Sequence, residues 1–374
     1  MNARTTLIHW LRRDPVLAIA LALAGISLFF VPFSWQALIQ CIDWKVLSIL
    51  ACLMLVVAAL REEAVLQAAA SAILNRVHTT RGLRVCMCAL VFFSSMLMTN
   101  DVALLTFVPL TLTLYALSGH PKEALLTVIL QTLCANIGSS LTPVGNPQNL
   151  YLYTRYQPGL GAFLAAVGPL VAVGGLLCLG RALLGRPLRL SVQMAPVPLS
   201  HPWAIALDGG LFLMSLCAVF GAIPYGLCLV VVAAALLLTR PKLFRQIDWG
   251  LLLTFVGFFV FIGNVSRLPV VSDLMVHWLD TPRSVLWAGA LSSQVFSNVP
   301  AALLLSSFTE AWKPLCLGVN AGGCGTLIAS LASVISYKLY AAQHPGEGGR
   351  YLLLFTGYNV LFLLVLTVLG LFLI

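Results

Sequence analysis

Long apolar runs alternate with short polar joints along the whole chain. The apolar segments fall at about residues 15–33, 44–60, 83–98, 102–118, 123–137, 147–156, 161–184, 203–220, 225–239, 249–263, 284–296, 299–309, 312–322, 325–341 and 351–374. They are continuous rather than alternating, which predicts helices and not the ten-residue alternation of membrane strands. A helix needs about 20 residues to cross a hydrocarbon core of about 30 Å. Several segments are shorter than that. The short ones come in pairs, and their joints hold Asn, Gly, Ser, Thr and Pro. Non-helical backbone persists at membrane depth only where protein buries it or where it lines a wet cavity. The pairs therefore predict re-entrant hairpins at 83–118 and 284–309, and broken helices at 123–156 and 312–341.

Composition turns this pattern into a membrane assignment. The chain is 60% hydrophobic and 9% charged, with a mean hydropathy of +0.99, where a soluble domain carries about 25% charged residues. The expected class is an all-α polytopic membrane protein with about 9–11 spanning helices. The net charge of +9 then reads as basic residues gathered in cytoplasmic loops, not as a nucleic-acid surface. With a cytoplasmic N-terminus, 16 of the 21 Lys and Arg residues lie inside; Lys45, Arg155, Arg267, Arg283 and Lys313 lie outside. This orientation places the C-terminus outside. Residues 1–39 read as a first membrane helix and not a signal peptide, since 31-VPFSWQ-36 is a poor cleavage site. Segment 61–81 reads as an interfacial helix inside, and 264–283 as its counterpart outside. The ten cysteines mostly sit in apolar runs without a CxxC pair, and read as small apolar filler. No cofactor is implied.

The chain also repeats itself. Segment 42-IDWKVLSIL-50 resembles 247-IDWGLLLTF-255, 98-MTNDVALL-105 resembles 296-FSNVPAALL-304, and 136-NIGSSLTPVGNPQN-149 resembles 320-NAGGCGTLIASLAS-333. The offsets are 205, 198 and 184, so order is kept while loop lengths drift. In the orientation above, the first IDW helix runs inward and the second outward. The expectation is two inverted repeats, 40–184 and 203–345, joined by a linker at 185–202 and followed by a C-terminal helix at 346–374. Such repeats are typical of secondary transporters.

The candidate chemistry lies at the joints. A carboxylate in the bilayer interior is expensive and marks function, and Asp101 stands between two apolar runs beside Thr99 and Asn100. Asp101 admits two readings: carrier of a coupling proton or cation, or N-cap of the helix that follows. At a hairpin tip, free carbonyls together with the Asn100 oxygen suit Na⁺, and helix N-termini suit an anion. Ser297 and Asn298 form the second tip, with Pro300 opening the next helix. Gly138, Pro143, Gly145 and Pro147 interrupt the first broken helix. Around them Asn136, Ser139, Thr142, Asn146 and Asn149 offer neutral donors and acceptors. Asn320, Gly322 and Thr326 are their counterparts. Arg155, after the first broken helix, reads as a solvated flank, with a partner for a substrate anion as the alternative. The six histidines fall in loops or at ends, which argues against a histidine relay. An intramembrane enzyme is the rival class; the sequence has no HExxH or GxSxG motif and no intramembrane His–carboxylate cluster.

At TNDVAL, TPVGNPQN and SNVP the chain resembles the ion transporter superfamily. That group holds citrate-transporter-like permeases, divalent anion/sodium symporters, arsenite permeases and certain sodium/proton antiporters. The YbiR-type inner-membrane permeases are the nearest in motif, and the likeness covers roughly residues 40–345. It implies a scaffold, a transport domain, one central site built from paired tips and paired broken helices, and a homodimer. In the dicarboxylate members a Ser-Asn-Thr tip in each repeat holds Na⁺ and touches the substrate carboxylate. Here both tips keep Asn, at Asn100 and Asn298, and neither keeps the triplet. Asp101 after Asn is closer to the arsenite permeases. The resulting expectation is a transporter of a small organic or inorganic anion coupled to Na⁺ or H⁺. A sodium/proton antiporter or arsenite-type efflux permease is the alternative.

Overall fold

The computed structural model describes residues 15–32, 34–190 and 201–374. The expectations placed on residues 1–14 and on most of the 185–202 linker therefore lie outside the described residues. The described chain is helical, with eighteen α-helices and two short 3₁₀ turns. In order they are α1 (Pro15–Ser27), α2 (Trp35–Cys41), α3 (Trp44–Glu62), α4 (Val65–Leu74), α5 (Thr80–Ser94), α6 (Asn100–Leu117), α7 (Glu123–Ser139), α8 (Pro147–Tyr156) and α9 (Leu160–Leu183). The second half holds α10 (Pro202–Val219), α11 (Tyr225–Thr239), α12 (Trp249–Val265), α13 (Pro269–Trp278), α14 (Pro282–Phe296), α15 (Asn298–Ser306), α16 (Trp312–Gly322), α17 (Leu331–Gln343) and α18 (Gly348–Leu373).

Five of these, α3, α6, α9, α10 and α18, are long and apolar enough to cross a bilayer by themselves. The helices α12 and α13 form one bent pair, turning by 99° just after Asn264, where the sequence becomes polar. The remaining elements are too short to span alone, as the paired apolar runs require. The chain is a multi-pass membrane protein, and its outward faces carry large apolar side chains such as Leu177, Leu238, Leu353 and Phe372, which suit lipid contact.

Local signals set the helix ends. The two IDW segments start alike: Asp43 Oδ1 accepts from Val46 N at 3.0 Å and Asp248 Oδ1 accepts from Leu251 N at 2.9 Å, each capping its helix. Asn146 caps α8 by accepting from Asn149 N at 3.0 Å, with Pro147 at the first helical position. Arginines cluster at one end of the bundle, hereafter the arginine end. There Arg240 pairs with Glu63 and Asp208, and Arg84 pairs with Glu123.

Two apolar cores fill the interior. One joins α1, α3, α10, α11 and α12 with α8 and α15. The other joins α5, α6, α7 and α9 with α17 and α18. The break between α7 and α8 carries the chain from the second core to the first. The break between α16 and α17 lies beside both cores, since α16 gives Cys316 and Val319 to the first core and Leu317 and Ala321 to the second, where α17 also packs. Polar joints thus lie on the seam between two oily bodies, where apolar side chains leave room for hydrogen-bonded backbone.

Candidate functional site

The seam brings both hairpin tips together. Asn100 and Asp101, from the joint of α5 and α6, line a small cavity with Ser297, Asn298 and Val299, from the joint of α14 and α15. Pro147, Gln148, Leu251, Ser330 and Leu331 complete its wall. Its volume is about 30 Å³, the space of roughly one water molecule or one small ion. Four helices, α6, α8, α15 and α17, begin at this cavity. The positive ends of their dipoles converge on it.

The two tips are built differently. Five residues, 95–99, separate α5 from α6, and Thr99 is the cap position but makes no side-chain capping bond. Asp101 lies inside the first turn of α6 and is not its cap. Its own N–H donates to Asn100 Oδ1 at 3.0 Å. Its Oδ1 is buried and has no hydrogen-bond partner among the described residues. Only Ser297 separates α14 from α15. It has φ 74° and ψ 154°, a region nearly exclusive to glycine that costs about 1–3 kcal/mol for a side chain to hold. Ser297 Oγ donates to Ala329 O at 3.3 Å and lies 3.4 Å from Asn298 Oδ1.

Behind the tips lies a lattice of buried amides. Asn136 Oδ1 accepts from Asn100 Nδ2 and from Ser330 Oγ, each at 3.0 Å. Asn136 Nδ2 donates to Gly323 O at 3.1 Å and to Ser333 Oγ at 3.4 Å. From the other half, Asn320 Nδ2 donates to Asn149 Oδ1 at 2.7 Å, and Asn320 Oδ1 accepts from Asn146 Nδ2 at 3.5 Å. Residues 136, 146 and 149 correspond to 320, 330 and 333 at the offset of 184 seen in the sequence. Each half's first Asn thus bonds the other half's last two polar positions. These amides are satisfied by protein, which is what holds polar groups stably in a low-dielectric interior.

The remaining candidates divide by place. Ser139 Oγ donates to Asn136 O at 3.1 Å and accepts from Asn146 Nδ2 at 3.2 Å. Thr142 Oγ1 donates to Met96 O and accepts from Gly145 N at 3.1 Å, so it ties the broken helix to the first tip. The carbonyl of Gly145 accepts from Asn100 N at 3.2 Å. A side chain at Gly145 would stand 2.2 Å from Ser139 O, so the turn admits only glycine. Gly138 packs on Phe92 O and Gly322 on Ser293, letting α7 and α16 lie close against the outer arms of the two hairpins. Thr326 is exposed, and its N–H and hydroxyl both bond Gln294, at 2.9 and 3.0 Å. It braces a hairpin arm and does not line the cavity. Gln294 also donates to Gly322 O and Cys324 O at 2.9 and 3.1 Å.

Sequence reasoning passed over Gln294, Ser330 and Ser333 as site residues. The offset of 184 could have found the two serines, since it aligns them with Asn146 and Asn149. Gln294 had only the signal of a lone amide in an apolar arm.

Two larger spaces flank the small cavity. One, of about 170 Å³, is lined by Thr99, Asp101, Pro147, Arg61, Gln246 and Asp248, and so reaches from the cavity toward the arginine end. The other, of about 470 Å³, lies at the opposite end among Asp43, Lys45, Tyr151, Arg155 and Ser307, and includes neither tip. Between it and the tips, Tyr151 Oη bonds Ser306 Oγ at 2.8 Å, and Tyr156 Oη donates to Ser306 O at 3.1 Å and Thr309 O at 2.6 Å. These bonds fasten α8 to α15.

Comparison with known proteins agrees with this architecture. The chain is 33% identical over 328 residues to the inner membrane protein YbiR of Escherichia coli, covering 85% of this chain and 86% of the relative. It is 31% identical over 326 residues to an uncharacterised transporter of Methanocaldococcus jannaschii, covering 87% and 88%. Its fold is similar to that of the crystallised YdaH transporter of Alcanivorax borkumensis, with a TM-score of 0.55 at 13% identity over 98% and 97% of the two chains. Residues 6–312 match the model of the citrate transporter family, and with nearly the whole chain accounted for, the protein belongs to that family.

Proposed function

We propose that the protein is a secondary active transporter of the inner membrane. It moves a small anion, an organic carboxylate or an inorganic oxyanion, coupled to Na⁺ or H⁺. The observation that carries this reading is the shared cavity: two hairpin tips far apart in sequence meet over one small space where four helices begin. Helix N-termini favour an anion, and the oxygens of Asn100, Ser297 and Asn298 suit Na⁺. The reciprocal amide bonds support two inverted repeats, since equivalent positions of each half play equivalent parts. Rocking of such repeats about a fixed midplane site gives alternating access.

The cavity holds one small ion, so an anionic substrate enters only when the tips separate. The space reaching toward the arginine end shares Asp101 and Pro147 with the cavity, whereas Tyr151, Tyr156 and Ser306 close the other side. Basic residues mark the cytoplasmic face, and this conformation is therefore closed to the outside, with its path of access inward. Uptake into proteoliposomes tests the function: a panel of carboxylates and oxyanions, with and without Na⁺, yields saturable uptake for at least one. No uptake and no thermal stabilisation by any anion refutes it.

A second reading follows from the unpartnered Oδ1 of Asp101. A sodium/proton antiporter needs such a carboxylate to exchange a cation for a proton. Substrate-free vesicles with a pH gradient separate the readings, because only the antiporter produces Na⁺-driven alkalinisation.

A further inference from the structure

The 470 Å³ space at the end opposite the arginines has a composition that central transport does not use. Lys45 and Arg155 line it, and among the described residues neither joins a carboxylate in an ion pair. A third cation, Arg267, lies beside it, its Nη2 3.8 Å from the Sγ of Cys41, another lining residue. Two carboxylates belong to the same neighbourhood. Asp43 is engaged in capping α3 through Val46 N, and Glu310 is exposed. The guanidinium of Arg155 stands over the Tyr156 ring at 5.6 Å from its centroid, which fixes a planar cation in place. Gln40 and Ser307 add neutral polar groups to the wall, and Trp44, Tyr225 and Phe259 add apolar surface. Arg155 closes the last turn of α8, whose first turn touches the central cavity.

We infer that this space is a second anion site, an outer vestibule that captures a small multivalent carboxylate or oxyanion before it reaches the central cavity. Arg155 offers a fork of donors that matches a carboxylate or oxyanion edge, and Lys45 adds a mobile point charge. Focusing of positive potential in a cleft with apolar walls raises the local anion concentration. The same side of α8 and α15 carries the tyrosine fastening, so a captured anion waits on the closed side of the transporter. The inference rests on the transport reading for its biological meaning, but the site itself does not depend on it.

Cys41 is a built-in reporter. Purified protein in detergent, with the accessible Cys86 and Cys217 replaced by serine, is treated with a sulfonate-bearing or a trimethylammonium-bearing methanethiosulfonate. Both faces are open in detergent, so the result is independent of orientation and of transport. Rates normalised to a free thiol should favour the anionic reagent several-fold. Arg155→Gln with Lys45→Gln should bring the ratio close to one, and millimolar citrate or sulfate should slow modification in the parent but not in that variant. Matching circular dichroism and thermal midpoints exclude misfolding as the cause. A parent ratio at or below one, a ratio unchanged by the double substitution, or equal anion protection in both proteins overturns the vestibule site. Loss of uptake with an intact vestibule would instead count against the transport reading.

Discussion

The two hairpin tips occupy equivalent places and meet over the same cavity, yet they are held by opposite means. The first tip is tied down. Asn100 donates through its backbone to Gly145, donates through its amide to Asn136, and accepts from Asp101. The second tip is held by strain. A single residue, Ser297, turns the chain in a glycine-type conformation, and among the described residues the Asn298 side chain is held by the 3.4 Å contact from Ser297 Oγ. A tied tip keeps its geometry whatever is bound. A strained, loosely bonded tip can change shape at lower cost than a tied one.

The sharpest test of that contrast pairs two substitutions. Asn100→Ala leaves Asn136 and the Asp101 N–H short of partners, at about 1–3 kcal/mol for each buried group left unsatisfied. We expect lost uptake and a clearly lowered thermal midpoint. Asn298→Ala should also abolish uptake while lowering the midpoint far less. Equal destabilisation by both would erase the distinction, and retained uptake in either would remove that Asn from the site. Next in size is Asp101→Asn, the asymmetric carboxylate of the first tip. An amide cannot carry a proton, so the pH dependence of uptake should flatten while expression and the thermal midpoint hold. An unchanged pH profile limits Asp101 to a structural part in the first turn of α6.

Ser297→Gly probes the strain. Relief of about 1–3 kcal/mol is offset by about 0.5–1 kcal/mol of extra chain entropy lost on folding, so the midpoint should rise modestly. A fall would show that the hydroxyl contacts to Ala329 and Asn298 outweigh the backbone. The smallest effect belongs to Thr99→Ala. Its side chain makes no capping bond, and the expected change is within about 0.5 kcal/mol. A larger loss of stability, or a loss of Na⁺ stabilisation in a thermal shift, would assign the Thr99 hydroxyl a direct role.

Much of this was readable without coordinates. The apolar runs at 83–98, 102–118, 284–296 and 299–309 overlap α5, α6, α14 and α15, of which α6 is long enough to span by itself. The joints at 140–146 and 323–330 were foretold by Gly and Pro. Those features are local: a run too short to span, or a residue that cannot continue a helix, acts where it stands. Partner choice was not readable. Asn136, Asn146, Asn149 and Asn320 stand in the sequence as candidate ligands at a central site; in the fold Asn136 bonds Ser330 and Ser333, and Asn320 bonds Asn146 and Asn149, across the seam. Thr326 looked like the counterpart of Thr142, and the fold turns it onto Gln294.

By itself, then, the sequence determined that this chain lies in a membrane, where its helices break, and which polar residues stand at the breaks, because hydropathy and backbone allowance depend on neighbours in the chain. Only the tertiary structure decided which of those polar residues face the cavity and which satisfy each other. An amide in a low-dielectric interior takes whatever donor or acceptor folding brings within about 3 Å, and for Asn136 and Asn320 those partners include groups from the opposite half of the protein.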